Sequence, residues 1–176
     1  MKRIMTIGLL MAMLGIISLP GCGGSGGGGG STPAPTPATQ PTTAVLKITT
    51  QGTLASGTQI GGLDVTITLP TGVTVKSVTS PPETDSGVVV TSGVAATNST
   101  MLSTYAAATS ASKGKVHVLL ANSNGFGTGE FMTVNCNIAS GSTPTASDFS
   151  LSGFIAKDVN GVIINGLTPG ITATFQ

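Results

Sequence analysis

The sequence predicts an all-β protein in which a single β-sandwich occupies residues 44–176. Apolar residues recur at every second position through most of this segment, which is the period of a half-buried strand. Turn-forming residues interrupt the alternation at intervals of roughly eight to fifteen residues, and no stretch has the spacing of an amphipathic helix. Many short strands with these properties are typical of a sandwich.

The first half of this domain shows the alternation most clearly. Apolar and polar side chains alternate over residues 46–49 and 63–69, and the Pro-Thr-Gly of residues 70–72 ends the second run. Valines then follow within residues 73–78, and residues 88–90 are a short valine run of the kind found in buried strands. Each run predicts one strand.

The second half continues the pattern. Its further predicted strands are residues 101–106, 116–120, 132–138, 149–152 and 171–175. The alanine-rich surroundings of the first of these suggest a helix, but several threonines lower the helix propensity there, so we predict a strand. Asn160-Gly161 predicts a hairpin turn between residues 155–156 and 162–163, because both turn residues tolerate positive φ.

The N-terminal segment has the features of a secretory signal peptide over residues 1–21. Lys2-Arg3 is basic, and the apolar run from Ile4 to Ile17 is shorter than the ~20 residues that span a bilayer. The closing Leu19-Pro20-Gly21-Cys22 resembles the bacterial lipoprotein signal, which implies that Cys22 is lipidated and becomes the new N-terminus. We therefore expect a cell-envelope protein held by lipid at the outer membrane or cell surface.

Residues 22–43 are predicted to be a disordered linker. Gly26 to Gly30 is followed by four prolines among Thr and Ala. Such a composition cannot bury enough apolar surface to offset the entropy of ordering the chain. The linker would hold the domain some tens of ångströms from the lipid.

The charge of the mature chain excludes some partners. Without Lys2 and Arg3, which leave with the signal peptide, five lysines face six acidic residues. This balance gives no basic footprint for nucleic acid, so we expect none as a partner.

The residues that carry chemistry are few and scattered. His117 is the only histidine, and its position between Val116 and Val118 predicts a solvated strand face rather than a catalytic triad. Cys136 alternates with apolar residues and is expected in the core, whereas a Cys22–Cys136 disulfide is the less favoured alternative. We therefore predict no catalytic residue, no metal and no cofactor.

Two short motifs have competing interpretations. Gly23-Gly24-Ser25-Gly26-Gly27 matches the nucleophile-elbow pattern, but it lies in the linker, without the required strand and helix. Asp158-Val159-Asn160-Gly161 could donate oxygens to calcium, but a hairpin turn is favoured because the rest of a calcium loop is missing.

Three stretches resemble the cohesin family, the jelly-roll sandwiches that receive dockerins in cellulosome scaffolds. They are residues 60–78 with Ile60-Gly61-Gly62-Leu63-Asp64, residues 114–134 with Gly127-Thr128-Gly129, and residues 149–175 with Asp158-Val159-Asn160-Gly161. The resemblance implies a jelly-roll domain that binds a protein partner. Because that sandwich is akin to carbohydrate-binding modules, a polysaccharide is the alternative ligand.

The sequence thus predicts a lipid-anchored, extracytoplasmic binding or assembly module that is not an enzyme and recognises a protein partner. The alternative is a carbohydrate-binding lipoprotein of the cell envelope, although the absence of Trp disfavours a sugar-stacking platform. The binding patch is expected at Leu119, Phe126 and Phe131, which are apolar yet assigned to the outward side of their strands.

Overall fold

The computed structural model describes residues 39–78 and 82–176. In these residues the chain forms β-strands and two single-turn 3-10 helices, at Gly93–Ala95 and Ala146–Asp148. The strands are β1 (Thr43–Gln51), β2 (Ile60–Thr68), β3 (Val73–Thr74), β4 (Val89–Thr91), β5 (Ser99–Ala106), β6 (Lys115–Phe126), β7 (Gly129–Ile138), β8 (Ser150–Asp158) and β9 (Thr168–Phe175).

The strands form two antiparallel sheets. Sheet A has the order β3-β7-β1-β9, and β4 also pairs with β7 beside β3. Sheet B has the order β5-β6-β2-β8. The inner faces of the two sheets share one hydrophobic core, so the prediction of a single all-β sandwich is confirmed.

The core is built from alternate residues of the central strands. Leu46 and Ile48 of β1 and Val65 and Ile67 of β2 are fully buried, while the residues between them are less buried. This is the period-two pattern that the sequence shows. The described part of the chain therefore contains its own hydrophobic core, which is the property that allows a domain to fold by itself.

Residues 101–106 form most of β5, as predicted. Two other predicted segments do not form the regular strands that the sequence predicts. The Asn160-Gly161 turn also forms, but the chain after it makes an isolated bridge between Lys157 and Ile163 and not a regular strand. Similarly, β3 is only Val73–Thr74, and Val78 is exposed.

The predicted signal peptide, Cys22 and the predicted linker up to residue 38 lie outside the described residues. Within residues 39–78 and 82–176, no helix is long and apolar enough to cross a membrane.

Candidate functional site

The three residues of the predicted binding patch do not share a surface. Leu119 is 42% exposed, whereas Phe126 is 4% exposed and Phe131 is fully buried. The prediction that Phe126 and Phe131 lie on the outward side of their strands is therefore wrong. Both rings are part of the hydrophobic core between the sheets.

A β-bulge explains the position of Phe131. Strand β1 pairs Ile48 with Met132 and then Thr49 with Glu130, so Phe131 has no partner of its own. An extra residue of this kind interrupts the alternation of faces. Phe131 and Met132 are adjacent in the chain and are both buried.

A register shift also precedes Phe126. Strand β2 pairs Gly62 with Ala121 and then Ile60 with Phe126, so the alternation of Val116 and Val118 does not continue unbroken to this residue. Ile60, its partner on β2, is also fully buried. Strand β6 extends through Gly125 to Phe126.

The outer face of sheet B carries a row of exposed apolar side chains. Leu102 pairs with Leu119, Leu119 pairs with Asp64, and Asp64 pairs with Ile155, so the row crosses all four strands. Leu102 is 50% exposed and Ile155 is 42% exposed. Strands in a sheet lie about 4.8 Å apart, so the row is about 14 Å long. We call Leu102, Leu119 and Ile155 the apolar row.

A shallow groove runs beside the apolar row. Its floor is formed by Thr100, Ala121 and Gly62, which occupy the next register row and have small side chains or none. The concavity has a volume of about 360 Å³ and includes the apolar row in its lining. Lys157, opposite Gly62, closes one end. The face therefore offers a ridge and an adjacent groove to a partner.

One hydrogen-bonded pair of polar side chains interrupts the apolar row. Asp64 lies between Leu119 and Ile155, and its Oδ1 is 2.8 Å from Nε2 of His117. Both side chains are about two-fifths exposed, which agrees with the predicted solvated position of His117. Within the described residues, Asp64 is the hydrogen-bond partner found for the imidazole, and no hydroxyl is aligned with it as a nucleophile.

The remaining candidate groups lie elsewhere. Cys136 is 2% exposed, as predicted, and burial raises the pKa of its thiol to about 12. Oδ1 of Asp158 accepts hydrogen bonds from the backbone N–H groups of Asn160 and Val162, which makes the 158–161 segment an Asx-type turn. Among residues 39–78 and 82–176, no three His, Cys, Asp or Glu side chains are grouped to hold a metal ion.

The aromatic side chains do not form a surface platform. Tyr105, Phe126, Phe131 and Phe149 are buried, and Phe154 and Phe175 are partly buried against the core. Sugar rings commonly stack on exposed aromatic faces, and this domain presents apolar aliphatic side chains instead.

Comparisons with known proteins give one structural likeness. The chain is similar to a non-cellulosomal cohesin from the hyperthermophilic archaeon Archaeoglobus fulgidus, with a TM-score of 0.48 and 16% sequence identity over 72% of this chain and 75% of that chain. No protein-family model and no curated protein matches the chain.

Two members of the apolar row were missed at the level of sequence. Leu102 follows Met101 directly, so alternation does not decide which of the two faces outward. Ile155 belongs to a strand whose pairing with β2 shifts register between Asp64 and Thr66. The pairing of Leu102 with Leu119 could have been found only by aligning β5 with β6 across their connection.

Proposed function

We propose that the domain is a non-enzymatic binding module that recognises a protein partner through the outer face of sheet B. The observation that carries this proposal is the apolar row. Three large aliphatic side chains on separate strands are about half exposed on one face. Leu102 and Leu119 are directly adjacent, and Asp64 lies between Leu119 and Ile155. The next register row holds threonine, alanine, glycine and Lys157, so these three side chains are the large exposed apolar groups around the groove.

The row can supply a modest share of a binding free energy. Complete burial of a leucine or isoleucine side chain stabilises by about 1.5–3 kcal/mol, so covering three half-exposed side chains contributes about 2–4 kcal/mol. Contacts in the groove would add to this amount. Because this contribution is apolar, binding should depend weakly on salt.

The His117–Asp64 pair lowers the cost of covering the row. A partner that buries Leu119 and Ile155 also removes water from Asp64, which lies between them. An isolated carboxylate is expensive to desolvate, but one that keeps a hydrogen bond from the imidazole loses less. The pair therefore allows a charged residue to remain inside an apolar contact.

Capture of a partner by matched variants tests this proposal. The soluble domain, residues 39–176, is immobilised and exposed to an envelope extract in three forms: unchanged, with Leu102, Leu119 and Ile155 replaced by Ser, and with Val90→Ser. Val90 is 41% exposed on sheet A and serves as the control for losing an exposed apolar side chain. The unchanged domain and the Val90→Ser variant should capture the same protein, and the triple variant should not.

Equal capture by all three forms would show that the partner binds elsewhere. A glycan array probed with the same variants separates the carbohydrate alternative. Selective glycan binding that the triple variant retains would favour a polysaccharide ligand at a different surface.

We further propose that the domain is held at the cell envelope by a lipid on Cys22. The support is the Leu19-Pro20-Gly21-Cys22 sequence after the apolar run. Cys22→Ala should release the protein from membranes or leave it as unprocessed precursor, as measured by cell fractionation and immunoblotting. Stable anchoring needs more than one acyl chain, so the modified N-terminus should carry several. Normal maturation and unchanged membrane partition of the variant would contradict the anchor.

A further inference from the structure

Part of each edge of sheet B is covered by a short segment of the chain. On β5, the backbone N–H of Tyr105 donates to the carbonyl of Pro82 at 2.8 Å, and the N–H of Thr84 donates to the carbonyl of Ser103 at 3.1 Å. On β8, the N–H of Ile164 donates to the carbonyl of Ala156 at 2.8 Å. Covering an edge in this way prevents another strand from pairing with it.

The two edges of sheet A differ from each other. One is divided between β3 and β4, which are only two and three residues long. The other is β9, which has eight residues and pairs with β1 without any register shift. Natural edge strands are usually protected by charge, proline, bulges or short length. Strand β9 has no charged residue, and its one proline is Pro169, near its start.

The hydrogen-bond pattern leaves the outer side of β9 open. Thr43 and Gln176 exchange both backbone hydrogen bonds, so alternation directs the backbone of Thr174 and Thr172 toward β1 as well. The N–H and C=O groups of Ile171, Ala173 and Phe175 therefore point outward. In the described part of the chain, these groups have no backbone partner.

The side chains of the same residues are incompletely covered. Ile171, Ala173 and Phe175 lie on the core face, opposite the fully buried Ile48, Leu46 and Ala44 of β1. Strand β8 of sheet B contacts β9, and three apolar residues on or after β8 are also only partly buried against the core: Leu151, Phe154 and Ile164. The hydrophobic core is therefore only partly closed beside the open edge.

We propose that β9 is an interface for a second copy of this chain, which pairs its own β9 antiparallel to the first about a two-fold axis at Ala173. In this arrangement Ile171 meets Phe175 of the partner, Ala173 meets its own counterpart, and each pair exchanges two hydrogen bonds. A strand that adds here needs apolar side chains at alternate positions to close the core. Strand β9 itself has them, with Thr172 and Thr174 on the solvent side.

The expected association is weak and reversible. Pairing one strand edge buries much less than the ~1,600 Å² of a standard interface. We therefore expect a dissociation constant above about 1 µM, with dimers populated at higher protein concentration. The interface is separate from the apolar row, so the dimer would leave the outer face of sheet B free.

Sedimentation equilibrium of the domain of residues 39–176 tests this proposal over about 10 µM to about 1 mM, the range in which such an affinity is measurable. Ala173→Pro is the decisive variant, because it removes the central outward N–H, and proline is tolerated on an edge strand whose N–H faces solvent. Ala173→Ser is the matched control, since it keeps the backbone donor. Circular dichroism and urea unfolding confirm that each variant is folded.

The unchanged domain and Ala173→Ser should show a concentration-dependent dimer, and Ala173→Pro should weaken it by at least tenfold while remaining folded. If Ala173→Pro fails to fold, Thr174→Lys at pH 7 replaces it, because Thr174 is on the solvent face and the two lysines near the two-fold axis would repel each other. A domain that stays monomeric at about 1 mM would overturn the proposal. A dimer abolished by Leu119→Ser and retained by Ala173→Pro would overturn the assignment to β9.

Discussion

Truncation of Phe131 and of Leu119 tests whether the bulge in β7 directs into the core a side chain that alternation assigns to the outer face. The quantity compared is the loss in free energy of unfolding that each truncation causes. Phe131 is fully buried and Leu119 is 42% exposed. Replacing a fully buried Phe by Ala costs about 3–5 kcal/mol, because burial is lost and a cavity remains. The same truncation at the exposed Leu119 should cost roughly 0.5–1 kcal/mol.

Urea unfolding followed by circular dichroism measures the difference. With an m-value of about 2 kcal/mol per molar urea, Phe131→Ala should lower the midpoint by about 2 M, and Leu119→Ala by less than about 0.5 M. Phe131→Leu keeps most of the volume and should cost less than Phe131→Ala. Comparable small shifts for Phe131→Ala and Leu119→Ala would refute the bulge and return Phe131 to the surface.

Three further predictions concern single residues. The thiol of Cys136 should react with a thiol reagent at the rate of domain opening, because burial raises its pKa to about 12, and rapid labelling without denaturant would contradict this. Gly61→Ala should destabilise the domain in urea unfolding, since a Cβ there would lie 2.6 Å from backbone of the connection after β8, whereas Gly62→Ala should be tolerated because its nearest neighbour is at 3.5 Å. A hydrogen bond from Ser92 lowers the pKa of Glu130, so the stability that its carboxylate contributes is present above the unfolded-state pKa and lost as pH falls through the folded-state value. Glu130→Gln should therefore cost up to about 1 kcal/mol at pH 7 and almost nothing near pH 2, and an equal cost at both pH values would be inconsistent with this account.

The fold class follows from the sequence because alternation directly reports which strand face is buried. Leu46 and Ile48, with Val65 and Ile67, show this period and are all core residues. Cys136 was assigned correctly for the same reason. At these residues β1 pairs regularly with β7 and β2 pairs regularly with β6, so local pattern and tertiary structure agree.

The candidate site was less predictable because it depends on bulges and on register between strands. Phe131 is the residue without a partner between Met132 and Glu130, and this bulge places its side chain in the core. The alternation of Met132 and Val134 would instead assign Phe131 to the outer face. The juxtaposition of Leu102 with Leu119 requires the register of β5 on β6. A register shift of one residue would move every outward side chain of the strand to the core face. The periodicity of a single strand does not specify its register against a neighbour.

The central claim is that the domain recognises a protein partner through the apolar row. The most direct test is the affinity of the captured partner for single-site variants of the domain. Titration calorimetry compares the unchanged domain with Leu119→Ser and Val90→Ser at low and high salt. We expect Leu119→Ser to weaken binding by about tenfold, which corresponds to about 1.4 kcal/mol, and Val90→Ser to have no effect. Salt should change the affinity little. Unchanged affinity for Leu119→Ser in a correctly folded domain, or a loss of affinity with Val90→Ser alone, would contradict recognition through the outer face of sheet B.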